Sequence, residues 1–425
     1  MTIPKKFDTI VIGGGLMGSS AAWHLSNAGE RLLMIEKQAD IYSQGSSFGQ
    51  ARITRSLGPK DDIFSWLHNR SVTESMKLAA YLEGHYKNEN QVMDNIYTTS
   101  PVTYLYYRSQ NETVDALING QADTIQISRS ADEASNKFGL VVPDDAIVIR
   151  EYKKNSGTLN PAVLISKLHY AVKANGSSIL LNHQVITINR TNQHFEITLK
   201  NNENGAVHTY TAKKIVSAAG PYTGQLLQKL SPIINKLITP KRVCLSFFSI
   251  KKEVWNSLSK EHRSKMLNYF PMIDMNPDFV FSMIEKRDAD GVPVIKTGGH
   301  MRRYPIDNLD QVWGKEPPGD EIDWAHQTTS RYLEMLNIPV TYDDLLLTNS
   351  YSCVYSMTDS EIPIVSEVPD INNNTIPGLV VMGGMSGIGA KGSLAYGLIA
   401  ANLLLNQPEN EPMYNKTVNA LRLKI

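Results

Sequence analysis

Apolar and polar positions follow two rhythms along this chain, and the change of rhythm divides it. Phe7 to Ile12 is a short run rich in β-branched residues, the pattern of a strand buried on both faces. Gly13 to Gly15 break that run. From Leu16 to Ala28 the apolar spacing predicts a helix, with Gly29 closing it. Arg31 to Ile35 predicts a second strand that ends at Glu36. Strand, helix and strand make one βαβ unit with a short crossover.

Further on, Ile63 to Leu82 predicts a helix, while Thr98 to Tyr107 and Ala146 to Ile149 read as extended. Asn160 to Ala174 predicts another helix, with Asn160 as its cap and Pro161 in its first turn. Strands are expected at Ser178–Leu181 and Val185–Ile188, then at Phe195–Leu199 and Val207–Thr211 around the turn-rich residues 201–205. Lys214 to Gly220 predicts one more buried strand. From 221 to 350 the βαβ rhythm is lost, and aromatic strands with scattered Pro and Trp point to a mostly antiparallel second domain. Gly378 to Ser393 restores a strand and a glycine turn, followed by an apolar helix over Leu394–Leu405. The expected fold class is therefore α/β (α+β): a Rossmann-like nucleotide domain with a second, mostly antiparallel β-sheet substrate domain. The nucleotide domain is discontinuous, residues 1–90, 155–220 and 360–425; the second takes 91–154 and 221–359.

Length agrees with two domains, since 425 residues exceed one ordinary core. Lys+Arg and Asp+Glu are both 42, which favours neither nucleic acid nor an anionic membrane as partner. Two N-terminal lysines precede an apolar run too short and too glycine-broken for a signal peptide. No stretch is long enough to span a bilayer. Cys244 and Cys353 are too few for a disulfide framework, so a reducing cytoplasm is expected.

Gly13, Gly15 and Gly18 fit G-x-G-x-x-G. The first glycine permits a tight turn, the second lets backbone N–H groups approach a pyrophosphate, and the third lets helix and strand pack closely. The phosphates would lie at a helix N-terminus, where unpaired N–H groups and the helix dipole favour negative charge. Glu36, 23 residues after Gly13, stands where a carboxylate binds ribose hydroxyls. An acid there disfavours a 2′-phosphate, leaving FAD or NAD. The turn Gly383–Gly389 tips the balance to FAD, because the following helix start and Lys391 would stabilise an anionic reduced flavin. Read locally, the same helix is equally one that packs on the sheet with Lys391 solvated.

The chain resembles the monomeric sarcosine oxidase and N-methyltryptophan oxidase group of D-amino acid oxidase-like FAD enzymes. The resemblance runs end to end. It is carried by Gly13–Glu36, by Arg52 to Arg55, by Lys296 to His300, and by Cys353 to Thr358 with Ser386 to Lys391. It implies that Cys353 tethers the flavin covalently, with Tyr355 following it and nearby positive charge lowering the thiol pKa. Read alone, Cys353 is a small buried hydrophobe and Lys296 an exposed strand residue. The resemblance instead implies that Lys296 activates dioxygen above the flavin ring and that His300 lies near the substrate. Arg55 and Lys391 would grip a substrate carboxylate, and Arg52 would tune the ring, although locally both arginines suit a solvated loop. The expected catalytic set is Lys296, His300, Arg55, Lys391 and Tyr355. The expected cofactor set is Gly13, Gly15, Leu16, Met17, Gly18, Glu36, Lys37, Arg52, Val185, Cys353, Gly384, Gly387, Ile388, Gly389 and Lys391, with no metal.

Two departures bear on substrate. Phe48 and Ile388 stand where sarcosine oxidases commonly carry histidines, and Glu285 to Gly291 reads as a longer charged turn before Lys296. These changes favour a bulkier or cyclic secondary amine over sarcosine. The expectation is a monomeric FAD-dependent oxidase of an N-alkyl or cyclic amino acid, giving imine and hydrogen peroxide. Its partners would be that small molecule and dioxygen. The rivals are a flavin dehydrogenase using another acceptor and a non-catalytic flavin-binding subunit.

Overall fold

A computed structural model of the chain describes residues 5–39, 45–59, 61–85, 96–119, 124–152 and 156–424, and its strands gather into three sheets. The first joins β1 (Lys5–Ile12), β2 (Leu32–Ile35), β9 (Ser178–Leu180), β10 (His183–Arg190), β11 (Phe195–Asn201), β12 (Val207–Ser217), β18 (Ile364–Pro369) and β19 (Thr375–Gly383). The second joins β5 (Val102–Tyr107), β6 (Ile125–Ser128), β7 (Ala146–Glu151), β13 (Thr239–Ile250), β14 (Met272–Asp274), β15 (Val280–Arg287), β16 (Pro293–Gly298) and β17 (Leu345–Met357). A small third sheet holds β3 (Arg52–Thr54), β4 (Tyr97–Thr99) and β8 (Gly157–Leu159).

In the first sheet β19, β12, β1, β2 and β9 run parallel, and β10 and β11 extend one side antiparallel. The apolar run of β1 has a direct cause. Val11 enters the core formed with the helices Leu16–Asn27, Pro161–Ala174 and Ser393–Leu405, while Ile10 and Ile12 enter the core on the opposite face. Because successive side chains alternate sides, a strand covered on both faces must be apolar throughout. Asn160 caps its helix as expected, its side chain accepting from the Val163 N–H at 3.1 Å.

The second sheet runs β17-β13-β16-β15-β14-β5-β7-β6, antiparallel except where β14 pairs with β5. One face buries Phe248 and Ile295 against Ala325, Tyr332 and Leu333 of the helix Gly319–Met335. Burial of each such side chain is worth about 2 kcal/mol, which leaves the opposite face free to line a site. Among the described residues no helix is long and apolar enough to cross a membrane.

Three local expectations change. Val207–Thr211 and the first part of Lys214–Gly220 form one strand, β12, because Lys213 stays in solvent and Lys214 pairs with Glu30 at 2.7 Å without interrupting the ladder; the strand ends at Ser217, and Gly220 opens a short helical turn. Thr98–Tyr107 divides at Ser100–Pro101 into strands of two different sheets, where proline offers no ladder donor. Glu285 to Arg287 belong to β15 instead of the following turn. The expected domain boundaries at 90/91 and 154/155, and residues 1–4, lie outside the described residues.

Candidate active site

A cavity of about 950 Å³ opens between the first and second sheets, reaching from Gly13 and Glu36 to Lys296, Cys353 and Lys391. At its first end the backbone itself makes the wall. Gly13 sits at φ +99°, and a Cβ there would lie 2.3 Å from the Ala218 carbonyl oxygen. A Cβ on Gly18 would come within 1.8 Å of the Gly13 oxygen, so only glycine lets the helix Leu16–Asn27 start this close to the turn. Glu36 directly follows β2 and accepts from the Gly14 N–H at 2.7 Å and the Gln38 N–H at 2.9 Å. The Leu16 N–H donates to Ser47 Oγ at 3.1 Å. Lys37 extends over the Tyr222 ring at 3.9 Å and pairs with Asp310 at 3.5 Å, bridging the rim.

The far end is built by strand register. Residues opposed across a ladder point to the same face. Lys241, Val243, Leu245 and Phe247 of β13 oppose Tyr355, Cys353, Tyr351 and Asn349 of β17. On its other side Phe247 opposes Lys296 of β16, which in turn opposes Met283 of β15. Tyr355, Cys353, Tyr351, Lys296 and Met283 therefore share one face. His300 follows β16, with its ring stacked on Phe279 at 4.8 Å and edge-on to Tyr355 at 6.1 Å.

The glycine turn after β19 closes onto this face. The Gly384 N–H donates to Ser356 Oγ at 3.0 Å and the Ser386 N–H to the Ser356 carbonyl at 2.8 Å. Gly387, at φ +77°, packs on Tyr355, and a Cβ would lie 2.5 Å from the ring. Lys391 follows in the short turn Ala390–Gly392 that leads into the helix Ser393–Leu405. Its ammonium lies 5.4 Å from the Phe64 ring and makes no hydrogen bond or ion pair among the described residues. Burial and the neighbouring Arg55 lower its pKa to about 7.

Arg55, just past β3, lies over the Tyr104 ring at 5.5 Å. Tyr104 donates to the fully buried Glu151 at 2.5 Å, and Glu151 also accepts from the Ser56 N–H at 3.0 Å and the Ser156 hydroxyl at 2.8 Å. Arg52 spends its guanidinium on the carbonyls of Ser46, Phe48 and Ala51. Lys296 is 1% exposed and donates to the Ala51 carbonyl and to Glu285, each at 2.5 Å. Burial and Arg52 bring its pKa down to about 8. Burial and Arg303 lower His300 to about 4, so it is neutral near pH 7.

Most of the sequence-predicted residues converge. Lys296, His300, Arg55, Lys391 and Tyr355 all line the cavity, as do Gly13, Gly15, Leu16, Met17, Glu36, Lys37, Arg52, Val185, Cys353, Gly387, Ile388 and Gly389. Gly18 and Gly384 stand behind the wall, the first against Gly13 and the second against Thr358. The expected lowering of the Cys353 pKa is corrected: burial raises it, and the opposing pull of Arg52 and Lys296 does not compensate. Phe48 packs on Tyr351, ring centroids 5.7 Å apart, and is not among the residues that line the cavity. Glu285 was missed. Extending the alternation Phe281, Met283 by two residues would have put it on the cavity side.

The cradle fits an FAD: glycines that admit a pyrophosphate, an acid placed for ribose hydroxyls, and room for a ring beside Cys353 and Lys296. The comparisons agree. The chain is 23% identical over 402 residues to a probable sarcosine oxidase of Arabidopsis thaliana, covering 94% of this chain and 88% of that protein. It is 24% identical over 412 residues to an N-methyl-L-tryptophan oxidase of Yersinia pestis, covering 95% and 96%. Its fold matches that of NikD, an amino acid oxidase of nikkomycin biosynthesis, with a TM-score of 0.71 at 16% identity, over 98% of this chain and 97% of that one. With the profile of the FAD dependent oxidoreductase (DAO) family matching residues 8–403, the chain belongs to that family and is an FAD-dependent oxidoreductase.

Proposed function

We propose that the protein oxidises a secondary, N-alkyl or cyclic amino acid to its imine and passes the electrons to dioxygen, giving hydrogen peroxide. One observation carries this reading: two cations, Arg55 and Lys391, line the same cavity as Lys296 and Cys353. A carboxylate is the ligand such a pair holds, Arg bidentately and Lys as a point charge. Both curated relatives are named for N-methyl amino acids. In keeping with the sequence pattern, residues 1–90, 155–220 and 360–425 would hold FAD, and 91–154 with 221–359 would shape the substrate side.

Bound FAD supplies the two-electron oxidation of the amine. The chain's own groups do the rest. Arg55, braced through Tyr104 and Glu151, fixes the carboxylate, and that anion in turn favours the charged form of Lys391. Neutral His300 adds no charge to repel the amine and offers a ring nitrogen for a hydrogen bond. Phe279, Phe281, Met283 and Ile388 give an apolar wall that excludes water and suits a carbon skeleton larger than sarcosine's. Lys296 presents the cation that dioxygen needs as it takes on charge. Cys353, on the same face, is the residue for a covalent tether.

The test is an anaerobic screen of amino acids for bleaching of the flavin bands, followed by admission of air and peroxide assay. A secondary amino acid should bleach and then release peroxide. Absence of bleaching by any amino acid sinks the substrate reading, and bleaching without peroxide sinks the oxidase reading. For the tether, yellow colour should remain with acid-precipitated protein.

A further inference from the structure

Lys296 is held by a buried carboxylate that the mechanism above leaves unused. Glu285 lies where β15 and β16 slip register, between the pairs Ile284–Ile295 and Lys286–Val294. Such a bulge adds one residue to a strand, and Glu285 stays on the side of Met283, which opposes Lys296. Here the carboxylate turns into the wall, 9% exposed, and Oε2 meets Lys296 Nζ at 2.5 Å. The Gln50 N–H donates to Oε1 and the Ala51 N–H to Oε2, while Lys296 returns a bond to the Ala51 carbonyl. The loop is shaped around this group: Gly49 is at φ +116°, and a Cβ there would lie 2.8 Å from Glu285 Oε1.

We propose that Glu285 is a positioning residue for Lys296: it ties the ammonium to the backbone of residues 50–51 and keeps it charged and aimed at the ring end of the cavity. This rests on reading that cavity as a flavin oxidase site. The electrostatic setting calls for such a partner. Lys296 faces Arg52 from the loop, Glu285 from β15 and Cys353 from β17, with Tyr351 beside them. Burial and Arg52 both favour the neutral amine, and Glu285 opposes them. Burial works against ionisation of Glu285, yet Lys296, Arg52 and the Gln50 N–H outweigh it and hold the carboxyl below its usual range. Arg52, Lys296 and Glu285 together carry one net positive charge.

That charge count supplies the test, made on the holoenzyme with Glu285→Gln. If the carboxylate keeps Lys296 protonated, its removal releases the lysine proton, and the net charge at the ring end stays the same. The flavin reduction potential at neutral pH should then match wild type, while its pH inflection moves to lower pH. Reoxidation by dioxygen should lose about tenfold on the alkaline side for each unit of that movement and recover on acidification. A raised potential with the wild-type inflection overturns the proposal, because Lys296 would then hold its proton unaided. Glu285→Gln combined with Lys296→Met should behave as Lys296→Met alone; a further loss in the double variant assigns Glu285 a separate structural role and also overturns it. Should Glu285→Gln fail to fold, Glu285→Met, which also removes the carboxylate at similar length, is read by the same titration, and an unmoved inflection overturns the idea. Failure of the oxidase reading shows itself differently, as a wild-type flavoprotein that makes no peroxide while its potential still titrates.

Discussion

At the glycine end of the cavity, the turn, the helix start and the acid all come from Gly13 to Glu36, a stretch of 24 residues. At the ring end, Arg55, Lys296, Cys353 and Lys391 come from four separated segments: pairing of β13 with β16 and β17 sets Lys296 and Cys353 on one face, while β3 delivers Arg55 and the turn after β19 delivers Lys391 to the same cavity. The first region leaves no room for a Cβ at Gly13 or Gly18; the second concentrates charged side chains and satisfies some of them internally. Errors should therefore act differently. Adding an atom at the glycine end meets unyielding backbone, whereas changing a group at the ring end alters charge or affinity in a standing fold.

The sharpest way to break this contrast is Gly18→Ala. Its Cβ would lie 1.8 Å from the Gly13 carbonyl oxygen. A loss of about 3 kcal/mol or more is expected, with purified protein colourless at the flavin bands and melting earlier. Next in size, Lys296→Met should slow flavin reoxidation about a hundredfold while anaerobic reduction by substrate survives, as stopped-flow spectra would report. Comparable flavin loss in both variants would erase the distinction between the two regions.

Arg55→Ala removes a charge-assisted partner worth about 2 kcal/mol, so KM for an amino acid should rise roughly thirtyfold with flavin content unchanged. Lys391 sharpens the same point through pH. Its pKa in the free protein is about 7, so the ammonium is present below that value and lost above it. Affinity for a carboxylate inhibitor should fall as pH rises through that range, and Lys391→Arg should flatten the dependence, as measured by perturbation of the flavin spectrum. The smallest effect is expected at Cys353→Ala. This variant should keep its fold to within about 1–2 kcal/mol, yet release all its flavin on acid precipitation.

Legibility in the sequence followed the same division. The βαβ unit was readable because each requirement is local: an apolar run, glycines at fixed offsets, an acid at the next strand end. Lys296 and Cys353 carried no such local signature. By itself Lys296 reads as an exposed strand residue; the family resemblance alone implies a place above a flavin ring, and only the fold shows it buried. Glu285 reads as part of a charged turn because Lys286, Arg287 and Asp288 follow it, and that charge density masks the alternation that puts it beside Met283. The continuity of β12 was hidden in the same way by Lys213 and Lys214.

From residues alone came the glycine turn, the acid that follows the second strand, the α/β plan with a second, mostly antiparallel sheet and the main helices, since short-range sterics and side-chain periodicity govern all of these. Tertiary structure alone decided the pairing of Lys296 with Glu285, the bracing of Arg55 through Tyr104 and Glu151, and the direction of the Cys353 pKa. Those depend on which chains of atoms displace water around a charge, and that is settled only when distant strands pack.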